Sequence, residues 1–174
     1  MPQSSPNSLN LSRRVLGALI RLNLVAGVLI LALLVASLIA ESWVFRALGV
    51  PPAAGSASLF TGMRLIMAIG IAAVPVVHLV LTRLLAIVQT VGTGDPFVAV
   101  NAERLRLIAW ATLALELMHV TVGTIAAMVS SADVPLNMSR GFSITRWLAV
   151  LLLFVLARVF EQGARMREDL AGTV

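Results

Sequence analysis

The chain has 174 residues, 59% of them hydrophobic, with a mean hydropathy of +0.98, a composition beyond that of soluble globular domains. Its formal charge of +5 rests on thirteen arginines with no lysine, dispersed along the chain, which argues against direct nucleic-acid binding and for basic residues that orient a membrane protein. The absence of cysteine excludes disulfides, thiolate nucleophiles and thiolate metal sites.

Residues 1–12, rich in Ser, Pro and Asn, read as a disordered leader. Arg13-Arg14 followed by an apolar run has the look of a twin-arginine export signal. The run is too long for a signal core, Arg21 interrupts its start, and Leu38-Ile39-Ala40 is a poor cleavage site, so a retained first helix is expected. Apolar runs follow at 24–40, 65–81, 107–129 and 147–157, and their only ionisable interruptions are His78, Glu116 and His119. A hydrocarbon core of ~30 Å needs ~20 residues at ~1.5 Å of rise, which each run reaches once its flanks are counted. The expected fold is all-α: one domain, residues 13–174, a four-helix transmembrane bundle with spans at about 18–42, 60–88, 104–130 and 144–160 and a helical tail at about 160–172.

The loops set the orientation. Nine arginines fall in the N-terminal flank, the middle loop and the C-terminal segment, against four in the other two loops, Arg46, Arg64, Arg140 and Arg146. The positive-inside rule therefore places both termini and the middle loop in the cytoplasm. In the first outer loop Trp43 and Phe45 suit the headgroup layer, while Pro51, Pro52 and Gly55 end the helix; Trp147 is a second interfacial anchor. In the middle loop Asp95 is a good N-cap and Pro96 a good first residue for the third helix, which then runs through Asn101, Arg104 and Arg106 before entering lipid. The last helix should emerge as an amphipathic extension with Val159, Phe160, Met166 and Leu170 as its apolar positions.

Two stretches carry a resemblance: Gly94-Asp95-Pro96-Phe97-Val98 followed by Asn101-Ala102-Glu103-Arg104-Leu105-Arg106, and Phe154-Val155-Leu156-Ala157-Arg158-Val159-Phe160 through Arg167-Glu168-Asp169-Leu170 to the end. Together they resemble the bacterial four-helix membrane proteins of the domain of unknown function numbered 2975, well over residues 60–174 and over the first helix by hydropathy alone. The resemblance implies no catalytic residue. Members of that family are often encoded beside a small helix-turn-helix regulator, which implies a membrane partner for a transcription factor.

Glu116 is the first group to question, since a carboxylate at the centre of a span costs ~3 kcal/mol on insertion scales and must be neutralised, paired or hydrated. His119 follows at i+3, and Thr112, Glu116, His119, Gly123 and Ala127 form a polar and small stripe that should face the interior. Depth counting brings His78 within reach of Glu116, and Arg158 is a further candidate for this intramembrane cluster. Glu116-x-x-His119 has the spacing of half a di-metal site, but no other span offers a carboxylate, so no metal is expected. A bis-histidine haem b on His78 and His119 is the alternative cofactor reading; the favoured one has no cofactor. Ala32, Ala36 and Ala40 form a small-residue ridge suited to close helix approach or a homodimer.

The expected function is that of a multi-pass, non-enzymatic regulatory or accessory protein. Its cytoplasmic docking surface would comprise Asp95, Pro96, Phe97, Asn101, Arg104 and Arg106 with Glu161, Arg165, Arg167, Glu168 and Asp169, and its partner would be a helix-turn-helix regulator. The competing reading is a small redox or ion-handling protein centred on His78, Glu116 and His119.

Overall fold

The computed structural model describes residues 6–47, 56–92, 98–130 and 143–171, and every element in them is helical. The order is α1 (Pro6–Ile39), α2 (Glu41–Ala47), α3 (Ser56–Gly92), α4 (Ala99–Val129) and α5 (Ile144–Ala171). Three helices, α1, α3 and α4, are long and apolar enough to cross a membrane. Their exposed surface is built of Leu24, Val28, Leu31, Val35, Leu65 and Leu117, an apolar coat that water would not tolerate but lipid accepts.

Packing follows chain order. α1 lies on α3, α3 on α4 and α4 on α5, while α2 follows α1 through a bend at Ala40; no comparably packed face joins α1 to α5 among the described residues. The four long helices thus form an open antiparallel row, with α1 and α5 as its edges. The beginning of α1 and the end of α5 share one end of the molecule.

Close approach is set by small residues, though not those of the alanine ridge. Ala32 and Ala40 are exposed, and α1 instead meets α3 at Gly27, where a Cβ would come within 2.9 Å of Val74 Cγ2, and at Ser37, which is completely buried. At Gly62 on α3 a Cβ would stand 2.6 Å from Val129 Cγ1 of α4. Beside this crossing Leu59 and Phe60 are buried against Met63 and Val129.

Element boundaries differ from expectation at two places, and the buried face of α5 at a third. α1 begins at Pro6, so residues 6–12 of the expected leader are helical; the fixed φ of proline suits a first helical position, where its missing N–H is no loss. α4 begins at Ala99 with Val98 as N-cap and no side-chain cap, one turn later than an Asp95 cap requires. Its first turn is held instead by burial of Asn101 against α3; Asp95, Pro96 and Phe97 lie outside the described residues. Along α5 the buried positions are Val150, Ala157 and Ala164, whereas Val159 and Met166, expected as apolar positions of the extension, are exposed.

The fourth expected span is not among the described helices long and apolar enough to cross a membrane. The apolar stretch of α5 between Arg146 and Arg158 is eleven residues, ~16 Å of helix, about half a bilayer core. Nor does α5 start level with the far end of α4. Arg146 faces Glu116, and Trp110 faces Phe154, so Ile144 lies opposite His119, ten residues or ~15 Å short of Val129.

Candidate functional site: interhelical polar contacts and an arginine groove

Each helix pair is fastened by polar groups in otherwise apolar surroundings. Between α1 and α3, the Asn23 side-chain amide donates to the Val74 carbonyl at 3.0 Å, the residue before Pro75. About three to four turns further along, Arg64 binds Glu41 at 2.7 Å and donates to the Ser37 carbonyl, while the Ser37 hydroxyl donates to Leu34 O at 2.7 Å. Between α3 and α4, Arg104 Nη1 donates to Thr90 Oγ1 at 2.8 Å, Asn101 Oδ1 at 2.9 Å and Ala86 O at 3.1 Å. Its cation thereby meets the negative end of the α3 dipole, and Asn101, fully buried, gains the partner its burial demands. Asn101 and Arg104, expected on a docking surface, are turned inward to hold this hairpin.

Glu116 is paired across the α4/α5 contact, but with Arg146, at 3.8 Å; their side chains are 13% and 35% exposed. Arg146 counts as an outer-loop residue in the sequence and Arg158 as the candidate partner. The register of α5 reverses those roles, because it brings the start of α5 to the middle of α4 and carries Arg158 twelve residues away. His119, one turn from Glu116, has its Nε2 buried without a hydrogen-bond partner among the described residues, and so does Nδ1 of His78.

The two histidines do not meet. Gly62 packs against Val129 and Thr90 against Asn101, and this register sets His78 opposite residue 113, six residues or ~9 Å below His119. His78 also lies one turn beyond Val74, on the stripe that faces α1.

Carried across all four helices, the same register sorts the charges into belts. Arg14, Arg21, Arg83, Arg106 and Arg158 fall within ~10 Å of one another in height, and Glu41 and Arg64 lie at the other end, ~30 Å away, the thickness of a hydrocarbon core.

At the arginine end a groove of about 770 Å³ opens along the α4/α5 seam. Its rim carries Arg106, Arg158 and Arg165 with Glu103 and Glu161; its apolar wall comes from Ala102, Phe154, Val155 and Ala157. Arg165 is occupied by Glu161 at 2.6 Å. Arg106 and Arg158 make no ion pair among the described residues. Beyond the groove α5 continues past the first residue of α4, bearing exposed Arg165, Arg167 and Asp169. The groove unites Arg106, Glu161 and Arg165 of the expected docking surface with Arg158 of the expected intramembrane cluster. Glu168 lies on the same helix end.

Sequence reasoning missed the Ser37, Glu41 and Arg64 contact, Asn23 and Thr90. Asn23 and Ser37 were legible as polar residues within a lipid-exposed run, which must find partners on a neighbour.

Helices coated in apolar side chains, fastened by internal polar contacts and bounded by two charged belts define an integral membrane protein. The chain belongs to the family described as "Protein of unknown function (DUF2975)", which matches residues 37–174, about four-fifths of its length and reaching back into α1. No curated protein and no solved structure matches it.

Proposed function

We propose that this is a non-enzymatic accessory protein of the bacterial inner membrane, with both termini cytoplasmic, whose projecting end of α5 docks a cytoplasmic protein of the helix-turn-helix regulator class. The observation that carries this reading is the displacement of α5 along α4. A helix meant only to complete a bundle would sit level with its neighbour. This one stops half-way through the apolar layer and advances the surplus beyond the arginine belt, where Arg165, Arg167 and Asp169 are solvent-facing. An exposed helix end of mixed charge, anchored in a membrane, suits reversible recruitment of a soluble partner, because charged rims govern encounter rate and specificity. The nine-to-four arginine asymmetry supports the cytoplasmic assignment of this end. A second copy packed along α1 or α5 would close the row into a larger bundle.

The test is co-purification of a small helix-turn-helix regulator, of the kind often encoded beside members of the family, with the detergent-solubilised full chain. Binding by the parent and its loss, by tenfold or more, in the triple variant Arg165→Ala, Arg167→Ala, Asp169→Ala is the expected outcome. Undiminished binding by the triple variant, or none by the parent, rejects the proposal.

A further inference from the structure

The groove between α4 and α5 has a chemistry of its own, independent of what docks on the helix end. Glu161 and Arg165 satisfy each other, which leaves Arg106 and Arg158 as two guanidinium groups on facing helices, with Glu103 the remaining carboxylate on the rim. They stand at one height, in the arginine belt. From that height, moving toward the membrane centre, the wall becomes Phe154 and Val155, followed by Trp110, whose ring meets Phe154 edge-on at 5.1 Å, and by exposed Leu151 and Leu152. Two unpaired cations above a continuous apolar surface, at a bilayer boundary, match one kind of molecule: an anion carrying a hydrocarbon chain.

The geometry points to a binding site for one anionic phospholipid of the adjacent leaflet, its phosphate held by Arg106 and Arg158 and its acyl chain laid along Phe154 and Trp110. Guanidinium forks bind phosphate oxygens bidentately, and the low dielectric beside lipid strengthens the pairing. An arginine near an anionic surface strengthens association about fivefold, so the pair should discriminate anionic from zwitterionic lipid by about tenfold or more.

Trp110 reports the site, being 58% exposed and in contact with Phe154. The full chain carrying Trp43→Phe and Trp147→Phe is reconstituted in phosphatidylcholine vesicles doped with dibrominated phosphatidylglycerol or dibrominated phosphatidylcholine, and quenching of Trp110 is compared. Stronger quenching by the glycerol lipid, abolished by Arg106→Gln with Arg158→Gln and kept by Arg83→Gln, supports the site. Equal quenching by both lipids, or a preference that survives the double substitution, overturns it. So does an equal loss in Arg83→Gln, which would assign the preference to the belt as a whole. Displacement of the preference by soluble glycerol phosphate at millimolar concentration would make the groove a site for a soluble phosphate ester and overturn the lipid assignment. Native mass spectrometry of the unsubstituted chain, counting retained phosphatidylglycerol, gives the same decision if the tryptophan variants do not fold; no retained lipid there is also a negative result.

Discussion

Single glycines give the sharpest view of how closely these helices approach. Lipid offers little hydrophobic drive for helix association, so close contact of backbones carries much of the energy, and a methyl group at a crossing removes it. At Gly62 the added Cβ would meet the β-branched Val129 at 2.6 Å, whereas at Gly17 nothing lies within 4 Å and at Gly70 the nearest atom is Ile30 Cδ1 at 3.7 Å. Gly62→Ala should therefore lower stability by about 1–3 kcal/mol through overpacking, while Gly17→Ala and Gly70→Ala should be neutral or slightly stabilising because alanine is the better helix former. Thermal unfolding midpoints in one detergent, compared across the three variants, check this; a Gly62→Ala protein as stable as the parent would mean that α3 and α4 do not cross there. None of this was legible beforehand, for the three glycines sit in similar apolar sequence and differ only in what faces them. Glu116, by contrast, was legible as a residue in need of a partner, and Arg146 supplies one.

Among elements, α5 separates what hydropathy can and cannot reveal. α1, α3 and α4 were readable because each has an apolar run long enough to leave no alternative, and α5 was readable as a helix that continues past its apolar part. Its register was not, because an eleven-residue run is compatible with a tilted span, a half-span or an interfacial helix. Contacts fix the register, and the Glu116 and Arg146 pair is the most telling of them. Removing one partner leaves the other charge in a poorly hydrated place, whereas removing both leaves none. Glu116→Ala and Arg146→Ala should each destabilise by about 2–4 kcal/mol, and the double substitution by less than their sum, with a coupling of about 1 kcal/mol or more. Chemical denaturation of the four proteins in mixed micelles completes the cycle. Additive losses would show that the two side chains do not interact and that α5 sits in another register.

For the whole molecule, the consequence of that register is a depth. If α5 were a fourth span in step with α4, Ile144 would lie beside Val129 at the outer boundary, close to water. In the row described here it lies opposite His119, ~15 Å deeper, with Glu116 and Arg146 below it. The chain contains no cysteine, so one introduced at a chosen position is the sole reactive thiol. Ile144→Cys is well placed, because its side chain is 75% exposed within the protein and any protection must come from lipid rather than from packing. Two reporters bracket it: with both termini cytoplasmic, as proposed, Ala47→Cys at the end of α2 should react with a membrane-impermeant maleimide from outside and Gln162→Cys from the cytoplasmic side, whereas Ile144→Cys should react from neither until detergent is added. Rapid outside labelling of Ile144→Cys, equal to that of Ala47→Cys, would restore the four-span bundle. It would also remove the physical basis for a projecting helix end, since an α5 in step with α4 would spend in the bilayer the length that otherwise reaches beyond the arginine belt.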